Sequence, residues 1–127
     1  LAHYNVGALY QTGRGVERSL DSAHDWFMGG AELGDPYSML SLGDFYRDGL
    51  RGERDLVEAF SWYQISMLRL DPQDVGGLTF AESEANSINA QLNETQKQEA
   101  ATRIEFLKKF TAPQTVEQNL DEGESRI

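Results

Sequence analysis

The chain has 127 residues, no cysteine and a net charge of −10 at neutral pH. This length suits one domain with a single core, and without cysteine there are no disulfides, thiolate metal sites or cysteine nucleophiles. The acidic excess is even, with −5 on residues 1–72 and −5 on residues 73–127. It argues against a nucleic-acid surface and against docking on anionic lipid.

No apolar run is long enough for a membrane span, so we expect a soluble protein without membrane insertion. The sequence opens Leu1-Ala2-His3, with neither an initiator methionine nor a leader peptide. We therefore expect a fragment or a processed product. Its compartment stays open between cytoplasm and periplasm.

Two helices are predicted first. Residues 1–12 place apolar side chains on one stripe, and Gly13 ends that helix. Ser19 can cap a second helix that ends at Gly34. The apolar positions of this second helix follow helical spacing: Leu20, Ala23, Trp26, Phe27 and Ala31.

The same pattern returns 36 residues later without a gap. Asp35-Pro36 provides a cap followed by proline at the first helical position, and Asp55 with Glu58 forms a capping-box pattern before the next helix. A helix, a tight turn and a second helix therefore repeat as one unit of an α-solenoid. Matched residues include Gly7 and Gly43, Tyr10 and Tyr46, Gly13 and Gly49, Ala23 and Ala59, and Trp26-Phe27 and Trp62-Tyr63.

Gly43 lies inside a predicted helix, where glycine costs about 1 kcal/mol relative to alanine. Because Gly7 occupies the same place in the first copy, we predict that each glycine lets a neighbouring backbone or a large ring approach closely. The matched Trp26 and Trp62 are both predicted to be buried.

These motifs resemble the Sel1-like repeat, a relative of the tetratricopeptide repeat. The resemblance covers residues 1–72 and implies an all-α fold, a right-handed α/α solenoid of helical hairpins. The second loop departs from the pattern, since residues 49–52 read GLRG, and Leu70 stands where the first copy has Gly34. The motifs are Leu42-Gly43 with Tyr46, Gly13-x-Gly15-Val16, and alanine three residues before tryptophan and a second aromatic residue.

Four segments are predicted: one repeat at 1–36, a second at 37–72, a C-terminal capping helix pair at 73–111 and a disordered acidic tail at 112–127. Gly76-Gly77 is expected in a loop, with a helix capped by Thr79 and Glu82 after it. Asn93 with Gln96 is expected to begin the last helix. Its predecessor buries Ala81, Ala85, Ile88 and Leu92, and the last helix buries Ala100, Ile104 and Leu107.

No catalytic motif is present, and we predict no catalytic residue, cofactor or metal. His3 and His24 lack a partner at a motif spacing and are expected to serve on the surface or in packing. Asp44 and Asp48 lie one helical turn apart and could hold a cation, but a solvated face is the expected role.

The resemblance implies a concave groove lined by the first helix of each unit. It implies a non-enzymatic scaffold or adaptor that binds a protein or peptide, with a basic partner near Asp44 and Asp48. The residues carried over to this groove are Tyr4, Ala8, Gln11, Thr12, Leu40, Asp44, Arg47 and Asp48.

Two alternatives stay open. Some Sel1-like proteins have been linked to β-lactam binding and hydrolysis, although that branch carries regular cysteine pairs, which this chain lacks. The other is structural: the N-terminal face packs on a second copy, giving a homo-oligomer, or on upstream repeats outside this sequence.

Overall fold

The computed structural model describes residues 2–112, which form six α-helices and no strand. The helices are α1 (Ala2–Thr12), α2 (Leu20–Glu32), α3 (Pro36–Asp48), α4 (Leu56–Arg69), α5 (Val75–Asn89) and α6 (Glu94–Phe110). The predicted acidic tail lies outside the described residues, apart from Ala112.

The first four helices form two hairpins, α1 with α2 and α3 with α4, which are joined by contacts between α2 and α3. The predicted caps are confirmed: the side chains of Ser19, Asp35 and Asp55 accept hydrogen bonds from backbone amides in the first turns of α2, α3 and α4. Only one half of the capping box predicted at Asp55 forms, because the Glu58 carboxylate instead accepts from Trp62 and pairs with Arg103. Gly49 ends α3 in the left-handed conformation, at a φ of 63°, which glycine adopts without the steric cost other residues incur.

The matched glycines of the first helices, Gly7 of α1 and Gly43 of α3, each face an aromatic ring. A Cβ atom on Gly7 would lie 2.6 Å from Cε1 of Phe27, and one on Gly43 would lie 2.6 Å from Cε1 of Tyr63. Both rings are fully buried, with 1% and 0% of their surface exposed. The close-approach prediction is confirmed, and the ring comes from the second helix of the same hairpin.

The two tryptophans differ, and the prediction that both are buried is wrong for the first. Trp62 is fully buried and shares a core cluster with Ile65 and with Leu107 of α6. Trp26 is 38% exposed and packs against the ring of His3. The reason is that α4 packs on α6 as well as on its neighbours α3 and α5, whereas α2 packs mainly on α1 and α3 among the described helices.

Helix α5 begins earlier than predicted. It starts at Val75 with Asp74 as its cap, so Gly76 and Gly77 lie in its first turn and not in a loop. The Asp74 side chain accepts a hydrogen bond from the Gly77 amide at 2.9 Å, and Tyr37 of α3 donates its hydroxyl to the same carboxylate. This cap offsets the low helix propensity of two glycines. The prediction that Thr79 caps this helix is therefore wrong, since Thr79 lies within α5 and not at its start.

The last two helices both pack mainly on α4 rather than on each other. The predicted capping box at the start of α6 is confirmed, since Asn93 and Gln96 bond reciprocally to each other's backbone amides. Ala81, Ala85, Ile88, Leu92, Ala100 and Leu107 are buried as predicted. Ile104 was also predicted to be buried but is only partly buried. An ion pair also joins α4 to α6: the Glu58 carboxylate lies 2.5 Å from Nε of Arg103.

Across residues 2–112, no helix combines the length and apolar character that a membrane crossing requires.

Candidate interaction surface on the first helices

Helix α3, the first helix of the second hairpin, contacts α1, the first helix of the first hairpin, and also contacts α5. The rings of Tyr4 and Tyr37 are 6.0 Å apart between α1 and α3, and Arg47 of α3 reaches Glu84 of α5 at 2.9 Å. We call the surface around these contacts the first-helix face. All eight residues carried over from the family resemblance lie on α1 or α3, together with Phe80 and Glu84 from α5.

The α1 part of this face is neutral. Tyr4 is half-buried against Phe27 and Tyr37, and Ala8 and Gln11 are also partly covered. Thr12 is exposed, and its hydroxyl donates to the Ala8 carbonyl at 2.9 Å. This part offers shape and an aromatic edge but no charge.

The α3 part carries a network of charged groups around Arg47. The guanidinium holds Asp48 through two hydrogen bonds of 2.9 Å, from Nε and Nη2. Its Nη1 lies 2.9 Å from the Glu84 carboxylate and 3.3 Å from that of Asp44. Asp44, Arg47, Asp48, Tyr63 and Glu84 form what we call the Arg47 cluster.

Tyr63 connects the Arg47 cluster to the protein core. Its ring is buried under Gly43, and its hydroxyl donates to Oδ1 of Asp44 at 2.5 Å while accepting from Arg47 at 3.1 Å. The aromatic residue that fills the glycine gap therefore also fixes the position of Asp44 on the surface.

The surroundings shift the pKa values of Asp44 and Asp48 in opposite directions. Burial raises the pKa of Asp44, although the hydrogen bond from Tyr63 and the charge of Arg47 act against this rise. The hydrogen bonds from Arg47 lower the pKa of Asp48, and the same bonds raise the pKa of Arg47. Arg47 lies between the carboxylates, so the two aspartates do not form a cation site alone. In residues 2–112 no three His, Cys, Asp or Glu side chains are grouped to hold a metal.

Sequence reasoning did not name Tyr63, Phe80 or Glu84 as site residues. Phe80 and Glu84 stand 36 positions after Asp44 and Asp48, so extending the repeat register into residues 73–111 would have found both. Phe80 is 40% exposed and packs edge-on against Tyr63, with ring centroids 6.0 Å apart. Leu40, which the resemblance did name, is partly buried beside the second core cluster.

The two repeats differ at the Arg47 cluster. The first copy has Ala8, Gln11, Thr12 and Phe27 where the second has Asp44, Arg47, Asp48 and Tyr63. The close-approach glycines, Gly7 and Gly43, and the buried alanines, Ala23 and Ala59, are the same in both copies. The first copy forms its hairpin without these charges, so packing does not require the cluster.

Comparison with known families decides the relationship. The family model described as the Sel1 repeat matches residues 1–35 and 36–66, more than half of the chain. The chain belongs to the Sel1 repeat family. As a group, Sel1 repeats are protein-interaction modules.

A solved structure supports the solenoid fold of this Sel1 repeat protein. It is similar, with 26% sequence identity and a TM-score of 0.76, to the crystal structure of a protective antigen present in uropathogenic Escherichia coli strains and displaying an SLR fold. The match covers 87% of this chain and 22% of the antigen's chain, so the Sel1 repeat protein spans about a fifth of that molecule. Among curated proteins, no sequence matches it.

Proposed function

We propose that this chain is a non-enzymatic interaction module, a scaffold or adaptor that presents the first-helix face to a peptide or protein partner. The observation that carries the proposal is the Arg47 cluster: charged groups that hairpin packing does not require converge on one exposed side of α3 and α5. The membership in a family of interaction modules supports it, although function must be argued from the site itself.

The chemistry of the face favours a partner with basic side chains. The cluster contains three carboxyl groups against one guanidinium, and the side chains of Asp44 and Asp48 are 36% and 47% exposed. A ligand carboxylate would meet these acids, and Arg47 already has partners for its donors. The exposed ring of Phe80 beside the acids can take the apolar stem or the charge of a lysine or arginine.

A peptide selection tests this proposal. Peptides displayed on phage are selected on the immobilised chain, and the best binder is measured by calorimetry against the parent and against a variant carrying Glu84→Gln and Phe80→Ala. We expect selected peptides to be rich in lysine or arginine. The variant should bind at least about tenfold more weakly, the size of one lost charge-assisted contact.

The control variant is Glu105→Gln, which removes an exposed carboxylate on α6 that pairs with Lys108. It should bind like the parent. Selection of acidic or wholly apolar peptides would contradict the basic partner. Failure to select any peptide, together with measurable turnover of a β-lactam, would overturn the interaction module.

A second proposal concerns the N-terminal face, which we define as His3, Val6, Leu9 and Trp26. Leu9 is 41% exposed, whereas its equivalent Phe45 in the second repeat is 2% exposed because α2 lies against α3. The repeat thus shows what covers this position when it is buried: the second helix of another hairpin. We infer that a further helical surface packs here, from a second copy or from an upstream repeat.

Light scattering at rising protein concentration distinguishes these two occupants. A homo-oligomer should appear in the parent and disappear in Leu9→Glu, while Val75→Glu, a change of the same kind at an exposed site on α5, should leave it intact. A monomer at every concentration would remove the second copy and leave an upstream repeat as the occupant.

A further inference from the structure

His24 lies in the contact between the two repeats. It belongs to α2, is 8% exposed, and packs against α3 with its ring centroid 5.8 Å from those of Phe45 and Tyr46. Its Nε2 is 3.0 Å from the Tyr46 hydroxyl. The prediction that this histidine serves in packing agrees with its position, but packing does not account for the choice of a titratable ring.

The second repeat supplies the comparison. Phe60 stands 36 residues after His24 and packs against the cluster that contains Ala85 and Ile88 of α5. An apolar aromatic ring therefore serves at the equivalent contact between the second hairpin and the next helix. The histidine adds to the first contact a group whose charge changes near neutral pH.

The surroundings of His24 favour its neutral form. Its Nδ1 is buried without a hydrogen-bond partner among the described residues, and the nearest carboxylate, Asp25, is 3.9 Å away and 83% exposed. His24 lines a cavity of about 230 Å³, and Arg51 and Glu53 line this cavity as well. Asp21 is already paired with Arg51 at 2.8 Å.

We propose that His24 makes the contact between the two Sel1 repeats sensitive to acid. When its ring takes up a proton, the charge is held against Phe45 and near Arg51, and the α2–α3 contact loosens. The second repeat, with Phe60 in this place, keeps its own contact with α5. Acid therefore loosens one joint of the solenoid and leaves the next joint unchanged.

The direction follows from proton linkage. Burial, with Arg51 as the second cause, lowers the pKa of His24 below 6.5, and Asp25 and Asp21 offset this only in part. Below pH 6.5 the unfolded or opened chain then binds more protons than the folded chain, so stability falls as the pH falls through that value. The loss levels off once the pH is below the folded-state pKa, and each unit of lowering corresponds to about a tenfold change in the opening equilibrium.

The experiment compares the full chain with two variants, because the protein contains only two histidines. Urea midpoints and hydrogen exchange of the α2 and α3 amides, corrected for the intrinsic effect of pH, are measured from pH 7.5 to pH 5.5. The parent should lose stability and protection across this range. His24→Phe, which copies Phe60, should be flat, and His3→Gln should behave like the parent.

The carbon-bound ring protons of His24 provide a readout that needs no variant. Their NMR titration in the parent should have its midpoint below 6.5, the ordinary value for histidine. A midpoint at or above 6.5 would overturn the proposal, as would a His24→Phe variant that loses stability with the parent. Loss of protection in α4 and α5 to the same extent as in α2 and α3 would also contradict a local joint.

Discussion

Replacing Trp62 with alanine is expected to lower the free energy of unfolding by about 3–5 kcal/mol, the usual cost of removing a buried aromatic side chain. The ring is fully buried in the core cluster that also contains Leu107 of α6, and its Nε1 donates to Glu58 at 3.2 Å. Glu58 also pairs with Arg103, so the variant loses packing and weakens the link that holds α6. A domain of this size has about 5–15 kcal/mol in total, so the remainder would be small.

The matched control is Trp26→Ala, the same change at the equivalent position of the first repeat. Trp26 is 38% exposed, so we expect a loss of about 1–2 kcal/mol from the apolar area that remains buried. Urea unfolding followed by circular dichroism measures both variants without relying on tryptophan fluorescence. Equal losses would contradict the role assigned to α6, and a Trp62→Ala variant as stable as the parent would contradict the buried ring.

Replacing Gly43 with alanine is the second change with a large expected effect. The new Cβ would lie 2.6–2.8 Å from three atoms of the Tyr63 ring, which cannot move away because its hydroxyl is bonded to Asp44 and Arg47. Overpacking of this kind costs about 1–3 kcal/mol, more than alanine gains in helix propensity. We expect a net loss of stability, measured as a lower urea midpoint.

Gly76→Ala is the control for this prediction. Gly76 lies in the first turn of α5, has no positive φ, and has only a carboxylate oxygen of Asp74 within 4 Å of a built Cβ, at 3.9 Å. The same substitution should here stabilise the protein by about 0.4–1 kcal/mol, because alanine reduces the freedom of the unfolded chain. If Gly43→Ala also stabilised the protein, the close-approach account would be wrong.

The repeat register predicted the hairpins well because it is a local property. The caps at Ser19, Asp35 and Asp55 depend on residues two or three positions away, and such short-range hydrogen bonds are visible in the sequence. The close approach at Gly7 and Gly43 was also predictable, since a glycine at the same place in the first helix of both repeats indicates that a neighbouring group packs closely there.

The sequence did not correctly predict where the first helix after the second repeat begins. Asp71-Pro72 repeats Asp35-Pro36 in the sequence, but α5 begins only after Asp74. Propensity alone argued against Gly76-Gly77 in a helix, and the cap together with packing on α4 outweighed it. Likewise, repeat equivalence gave Trp26 and Trp62 the same environment, although α6 covers only the second.

The sequence by itself determined the repeating helical hairpins, their caps and glycine gaps, and hence the family. Only the tertiary structure decided what lies between elements: that α5 and α6 both pack on α4, that Arg47 joins Asp44, Asp48 and Glu84 across two helices, and that His24 lies in the contact between repeats. The physical reason is range. Caps and turns form between near neighbours in the chain, whereas the Arg47 cluster joins residues 37 positions apart, and packing alone brings those together.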